Sequence, residues 1–301
     1  MTAKLAEDST IVGAIRIGRA LRPLVVFGGV CLAAGSVLAQ TPSSTEQRIQ
    51  DRTYKFKEAG GLEMAYSVYV PKTYNRSRKW PLMVALHGNG ALASDLIRYA
   101  GLTDLAERHG YIVVAPTGYS SRGSYGIPGR GQGLQAGDPG FENEKNLKLT
   151  FRELAELDVM NVVDMARKEF NVDEDRIYLM GHSMGGGGVY YLANQHPDRW
   201  AALAAISAST FGITNPNQMP ADAGEKIRHI PIIVMHGDKD ETVPVERSRA
   251  AVEQIRKLGM EYLYIEVPGG DHYDYIAENP ANLEKVFLFF NLKTRKKAAS
   301  R

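Results

Sequence analysis

Gly181-His182-Ser183-Met184-Gly185 sets a serine between glycines, a pattern able to present a nucleophile. A serine hydroxyl attacks poorly until a base takes its proton, so the motif matters only with a histidine and a carboxylate within reach. Four of the seven histidines follow Ser183: His196, His229, His236 and His272. His196 stands beside Pro197 at a helix end and His229 precedes a strand, so both are expected to be structural. His236 closes an apolar run, where core packing or a carbonyl hydrogen bond is expected. His272 lies in Pro268-Gly-Gly-Asp-His-Tyr273, a loop between a strand and the last helix, and is the expected base. For its other ring nitrogen, the run His236-Gly-Asp-Lys-Asp-Glu-Thr-Val-Pro244 offers Asp238, Asp240 and Glu241. Residue type leaves that choice open. Charge developing on an attacked carbonyl oxygen needs backbone N–H donors. The Met184 N–H, opening the helix after the serine, is one candidate. The Asn89 N–H is the other, in Leu86-His-Gly-Asn-Gly90, where a strand runs into glycines and His87 is expected to brace the loop. The chemistry these residues could do is acyl transfer through a serine.

Such groups need elements to hold them. Pro81 to Leu86, Tyr111 to Ala115, Arg176 to Met180, Ala201 to Ile206 and Ile230 to Met235 are continuous apolar runs. Runs without alternation are expected of strands buried on both faces of a mostly parallel sheet. Met64 to Val70 alternates and predicts an early, edge-side strand, and Glu261 to Val267 a late one. Helices are predicted over 93–109, 153–170, 245–258 and 282–291, where apolar residues recur at helical spacing. Alternation of the two types gives an α/β domain with helices on both faces. Within it, Ser183 would sit on the sharp turn between a strand and a helix. The stretch Thr117 to Thr150 is glycine-rich and without periodicity, and should drape near the rim of the site.

Composition sets the outer bounds. The chain has 301 residues, 44% hydrophobic and 23% charged, as expected of one large globular α/β domain. Four basic residues precede an apolar stretch from Pro23 to Leu38, and Val37-Leu38-Ala39 resembles a cleavage site. The expected organisation is a signal peptide over 1–39, a flexible linker over 40–52, a catalytic domain over 53–292 and a basic tail over 293–301. Export to the periplasm or medium follows from that reading. The only cysteine, Cys31, lies in the signal, so no disulfide is expected to hold the exported chain. Of 36 basic and 34 acidic residues, four and two fall in the signal, so the remainder balances. Neither nucleic acid nor an anionic membrane is then an expected partner. No Cys/His metal spacing is present, and the 236–244 run lacks the glycine and distal glutamate of a calcium loop. Gly131-Gln-Gly133-Leu-Gln-Ala136 superficially fits a dinucleotide fingerprint but opens no predicted helix, and no cofactor is expected. Tyr119, Tyr125 and Trp200 are candidates for an aromatic acyl pocket, or for core and rim.

Six motifs together carry a resemblance over roughly Tyr66 to Phe290. They are Tyr69-Val-Pro71, Leu86-His-Gly88, Asn171-Val-Asp-Glu-Asp-Arg-Ile-Tyr178, Gly181-His-Ser-Met-Gly-Gly186, His236-Gly-x-x-Asp240-x-x-Val-Pro244 and Gly270-Asp-His272. The chain resembles the α/β-hydrolase serine esterases, among them the secreted feruloyl esterase and polyhydroxybutyrate depolymerase-like group. It is also similar to the catalytic domain of prolyl oligopeptidase relatives. The resemblance implies the acid–base order Ser183, Asp240, His272, with Asp240 rather than Asp238 as the acid. It implies hydrolysis of aromatic or short-chain acyl esters or polyesters, small or polymeric. A small peptidase or acyl-peptidase is the second reading, weakened because roughly 70 residues ahead of the third strand hold no propeller. A catalytically silent binding protein of the same fold is the third, and the complete Ser, Asp, His order weighs against it.

Overall fold

The computed structural model describes residues 43–208 and 223–295. Residues 1–39, expected to be a signal, and 296–301 of the expected tail lie outside them. The strands of the described residues are β1 (Gln50–Phe56), β2 (Leu62–Tyr69), β3 (Trp80–Leu86), β4 (Ile112–Pro116), β5 (Val172–His182), β6 (Ala202–Ile206), β7 (Ile232–Gly237) and β8 (Tyr262–Val267). They form one sheet in the order β1-β2-β4-β3-β5-β6-β7-β8. β2 runs antiparallel to both neighbours, and β3 through β8 are parallel.

The continuous apolar runs become the central strands because they can be buried on both sides. In β3, Leu82, Val84 and Leu86 enter one core while Met83 and Ala85 enter the other. The helices are α1 (Ala93–Leu96), α2 (Leu102–His109), α3 (Phe141–Glu144), α4 (Phe151–Glu169), α5 (Met184–Gln195), α6 (Ala223–Ile227), α7 (Glu246–Lys257), α8 (Asp274–Ala277) and α9 (Pro280–Asn291). Val159, Val162 and Val163 of α4, Val189 and Leu192 of α5 and Ile255 of α7 fill the first core. Leu102 and Leu105 of α2 and Leu283, Val286 and Phe287 of α9 fill the second. Burying each such side chain stabilises by roughly 1.5–3 kcal/mol. A reciprocal cap starts α4: Thr150 Oγ1 accepts the Glu153 N–H and Glu153 Oε2 accepts the Thr150 N–H.

Three expectations are corrected. Residues 40–52 were expected to be a flexible linker, yet β1 begins at Gln50 and pairs with Val68 of β2. Ahead of it, Thr45 Oγ1 donates to Asp104 Oδ1 at 2.5 Å, and Arg48 Nη2 donates to Val70 O at 2.7 Å. The strand expected at the edge, β2, is therefore covered by β1. Second, the helix expected over 93–109 is broken at Gly101, whose φ is 77° and where a Cβ would stand 2.7 Å from Pro280. The Ala100 N–H there donates to Ala277 O instead of continuing a helix. Third, the start of the expected tail is pinned: Tyr178 OH donates to Lys293 O, and Arg295 pairs with Asp175 at 3.0 Å.

Asp158 of α4 is fully buried and gathers three elements. It accepts Tyr54 OH of β1 at 2.6 Å and the Gly118 and Tyr119 N–H groups at 2.6 and 3.2 Å. Burial pushes its carboxyl up to about 6 despite these donors. A carboxyl raised in the folded state favours folding below its unfolded value and loses that contribution as pH rises through the folded one. Relative to Asp158→Asn, the parent chain should lose on the order of 3 kcal/mol of stability between pH 4 and pH 6. Denaturant unfolding of both chains across that window measures it, and parallel pH profiles would contradict it.

Candidate active site

Strand β5 delivers Ser183 and α5 begins immediately after it. The turn between them puts Ser183 at φ 57° and ψ −114°, a region side-chain-bearing residues avoid at a cost of order 1–3 kcal/mol. Neighbouring backbone holds it there. The Ser183 N–H donates to Ile206 O of β6 at 2.8 Å, and Ser183 O accepts the Gly187 N–H at 3.1 Å. The flanking glycines are required by contact: a Cβ on Gly181 would meet Gly185 O at 2.2 Å, and one on Gly185 would meet Leu86 O at 2.1 Å. The strain thus lifts Oγ clear of the sheet end while the turn packs against β3.

The structure brings Ser183, His272 and Asp240 into one hydrogen-bonded line. His272 Nε2 lies 2.9 Å from Ser183 Oγ, and its Nδ1 lies 2.7 Å from Asp240 Oδ2. Asp240 accepts but cannot donate as a carboxylate, so Nδ1 carries the proton and Nε2 is free to take one from the serine. The Asp240 side chain is wholly buried and that of His272 is 20% exposed. Asp238, the alternative carboxylate, turns away: its Oδ1 accepts the Gly269 N–H at 2.7 Å and braces the loop carrying His272. Glu241 is exposed.

Asp240 takes four donors. The N–H groups of Thr242 and Val243 reach Oδ1 at 2.9 and 2.7 Å. His272 and His236 share Oδ2, with His236 Nε2 at 3.0 Å. Burial pushes this carboxyl up, but the Val243 N–H and the two imidazoles outweigh it and hold it below the usual carboxylate range. His236 was expected to pack or to bond a carbonyl. It does bond Val243 O, and it also meets the carboxylate, which no sequence signal announced. Its Nδ1 lies 2.6 Å from Ser248 Oγ, so the ring is neutral with the proton on Nε2, and burial holds it that way.

His182, inside the serine motif, is another residue that sequence reasoning passed over. It is buried; its Nε2 donates to His272 O at 2.8 Å, and its Nδ1 accepts Tyr99 OH at 2.7 Å. Burial, then the nearby His272 ring, bring it down to about 4, so it stays a neutral strut beneath His272. His196 instead pairs with Glu156 at 2.8 Å, far from the serine in the fold.

Asn89 and Met184 both line the cleft beside Ser183. No acceptor among the described residues takes the N–H of either one. Gly88 packs directly against the serine, since a Cβ there would lie at ordinary contact distance, 3.5 Å, from Ser183 Cβ. His87 lies 2.8 Å from both Gly88 O and Thr117 O and ties the Asn89 loop to the next one.

The 117–150 stretch does reach the rim, but it is anchored. Tyr125, with φ 54° and fully buried, donates its OH to His87 O at 3.0 Å. Its ring fills the space beside Gly188, where a Cβ would come within 2.6 Å. Of the two readings open for Tyr119, Tyr125 and Trp200, the structure supports the core: all three are buried there. Gly131 and Gln132, from the apparent dinucleotide fingerprint, lie on the cleft wall without a following helix.

With this geometry in view, comparison with known proteins is decisive for ancestry. The Esterase family model matches residues 58–278. The chain belongs to the Esterase family. Dipeptidyl-peptidase 5 of Porphyromonas gingivalis is 31% identical over 284 residues, covering 82% of this chain and 37% of the peptidase. The bifunctional acetylxylan esterase/xylanase XynS20E of Neocallimastix patriciarum is 26% identical over 203 residues, covering 67% of this chain and 25% of that protein. The chain thus spans well under two thirds of either relative. Among solved structures, an S-formylglutathione hydrolase from Agrobacterium tumefaciens aligns with a TM-score of 0.61 at 16% identity, covering 81% of this chain and 95% of that one. The ferulic acid esterase AmCE1/Fae1A from Anaeromyces mucronatus gives 0.59 at 20% identity, covering 80% and 90%. At these identities the likeness establishes the α/β-hydrolase fold alone, which agrees with the sheet order and the strand–turn–helix at Ser183.

Replacing His236 by alanine removes one donor from a buried carboxylate and leaves a cavity beside it. The expected loss is on the order of 2–4 kcal/mol in urea unfolding. A loss below about 0.5 kcal/mol would contradict the four-donor account of Asp240.

Proposed function

We propose that this chain hydrolyses carboxylic esters through an acyl-enzyme on Ser183. The observation that carries the reading is the line Asp240–His272–Ser183, ending on a serine in a strained turn. His272 Nε2 takes the Ser183 proton as Oγ attacks the carbonyl carbon. The tetrahedral oxyanion is received by the N–H groups of Asn89 and Met184, each worth roughly 3 kcal/mol at the transition state. His272 then hands its proton to the departing alcohol. Water enters, loses a proton to His272, and releases the acid by the same steps. Asp240 keeps Nδ1 protonated and offsets the charge on the imidazolium.

Ser183→Ala or His272→Ala should lower turnover by on the order of 10⁶ on a p-nitrophenyl ester. Asp240→Asn should lower it by on the order of 10⁴. Asp238→Asn keeps an oxygen for the Gly269 N–H, so it should fall less than about tenfold. Near-normal hydrolysis by either of the first two variants sinks the mechanism, and equal losses in the two Asn variants sink the choice of acid.

The similarity to a dipeptidyl-peptidase supports a second reading, an amide-cleaving relative. Matched ester and p-nitroanilide substrates separate the two: faster turnover of the anilide would favour the peptidase. Among the described residues, no helix is long and apolar enough to cross a membrane. Residues 1–39 are read as an export signal cleaved after Ala39. N-terminal sequencing of the chain recovered from the periplasm or medium should begin at Gln40, and an intact Met1 would overturn that assignment.

A further inference from the structure

The cleft beside Ser183 has a volume of about 580 Å³, and its wall is cationic and polar. Arg122, Arg130 and Gln132 face it from the 117–150 stretch, with Asn89 and Met184 at its catalytic end. Arg130 is half-buried, and Arg122 is exposed. No carboxylate among the described residues pairs with Arg122. Arg130 is held down by burial and by the like charge of Arg247, which places a third guanidinium in its surroundings. Among the described residues that line the cleft there is no acidic side chain.

This wall is built rather than draped. The Gln132 N–H donates to Arg122 O at 2.8 Å, and Ser120 Oγ donates to Gln132 O at 2.6 Å. The Gly90 N–H donates to Ser121 O at 2.8 Å, which stitches the arginine segment to the Asn89 loop. A Cβ on Gly123 would strike Gly118 O at 2.4 Å, so the chain reverses tightly next to Arg122. The backbone that carries the arginines is therefore coupled to the loop of Asn89, one of the donors that would receive the oxyanion.

The chemistry says which end of an ester lies here. A leaving alcohol must come within hydrogen-bond reach of His272 Nε2, which protonates it. The acyl carbonyl must meet Ser183 and both oxyanion donors, and all three line the cleft. The cleft therefore takes the acyl side. An aliphatic or aromatic acyl chain would desolvate guanidinium groups without giving them an anion. A carboxylate would meet forked, charged donors.

We infer that the acyl pocket selects acyl groups bearing a carboxylate, so that the substrates are monoesters of dicarboxylic acids or similarly anionic acyl esters. The inference rests on the ester-hydrolysis reading and names its substrate class. Mono-p-nitrophenyl glutarate and p-nitrophenyl valerate have the same chain length and leaving group but differ in charge. At low ionic strength kcat/KM should favour the glutarate ester by about 10- to 100-fold. That ratio should shrink as salt is raised toward 0.5 M. Arg122→Ala should bring the ratio close to one, Arg122→Lys should restore part of it, and Arg122→Glu should turn the preference toward a 5-aminovalerate ester. A ratio at or below one in the parent chain overturns the inference while leaving esterase activity intact. If neither ester is cleaved, it is the esterase reading that fails. Calorimetric titration of monomethyl glutarate into Ser183→Ala then decides the anion site alone. Binding weakened about tenfold or more by adding Arg122→Ala supports the site, and equal binding overturns it.

Discussion

A carboxylate in a place without water has to be surrounded by donors, and Asp240 is surrounded by four. Left unpaired, a buried charge of this kind would be neutralised or would unfold its neighbourhood. Its partners therefore dictate local structure well beyond the acid itself. The turn after β7 must close so that the N–H groups of Thr242 and Val243 meet Oδ1. His236 at the end of β7 must point inward, and Ser248 of α7 must fix its tautomer. The loop after β8 must come close enough for His272, and Asp238 fastens that loop through Gly269. Charge satisfaction and the orientation of the base are one constraint.

The second demand is backbone strain at Ser183, tolerated because surrounding contacts over-determine it. Ile206 O and the Gly187 N–H grip the turn from two sides, and the contacts at Gly181 and Gly185 let β3, β5 and α5 approach more closely than any side chain would allow. Below the base, His182 and Tyr99 complete a buried chain that keeps the His272 carbonyl fixed. Histidines at 182, 236 and 272 thus lie within one connected polar network, yet only the last reaches the serine. Burial keeps the other two neutral, which avoids placing further positive charge against the imidazolium that catalysis would create.

The wall of the cleft comes from the least regular part of the chain, and Tyr125 explains how that part is held. Its ring occupies space that Gly188 leaves empty, and its hydroxyl caps His87 O. An aromatic residue that looked available for ligand stacking instead anchors the loop, and the same loop then presents arginines to the cleft. A polar, cationic wall follows from that exchange.

Much of this architecture was legible in the chain. Central strands announced themselves because burial on both faces demands uninterrupted apolar runs, and the serine turn because glycine is needed wherever backbones nearly touch. His272 was legible from its place after the last strand. β1 was not: Gln50-Asp-Arg-Thr-Tyr-Lys-Phe56 is polar on its open face, and its composition is that of a linker until β2 supplies the pairing. The break at Gly101 depends on Pro280, which lies far along the chain. Asp238 and Asp240 are equivalent in residue type, and a family pattern favours one, but only the folded loop aims one at His272 and the other at Gly269. Tyr119, Tyr125 and Trp200 were likewise undecided between pocket and core. Which residues face the core follows from local periodicity, which the sequence carries. Which polar group meets which depends on contacts between distant segments, and those exist only once the sheet has closed its register.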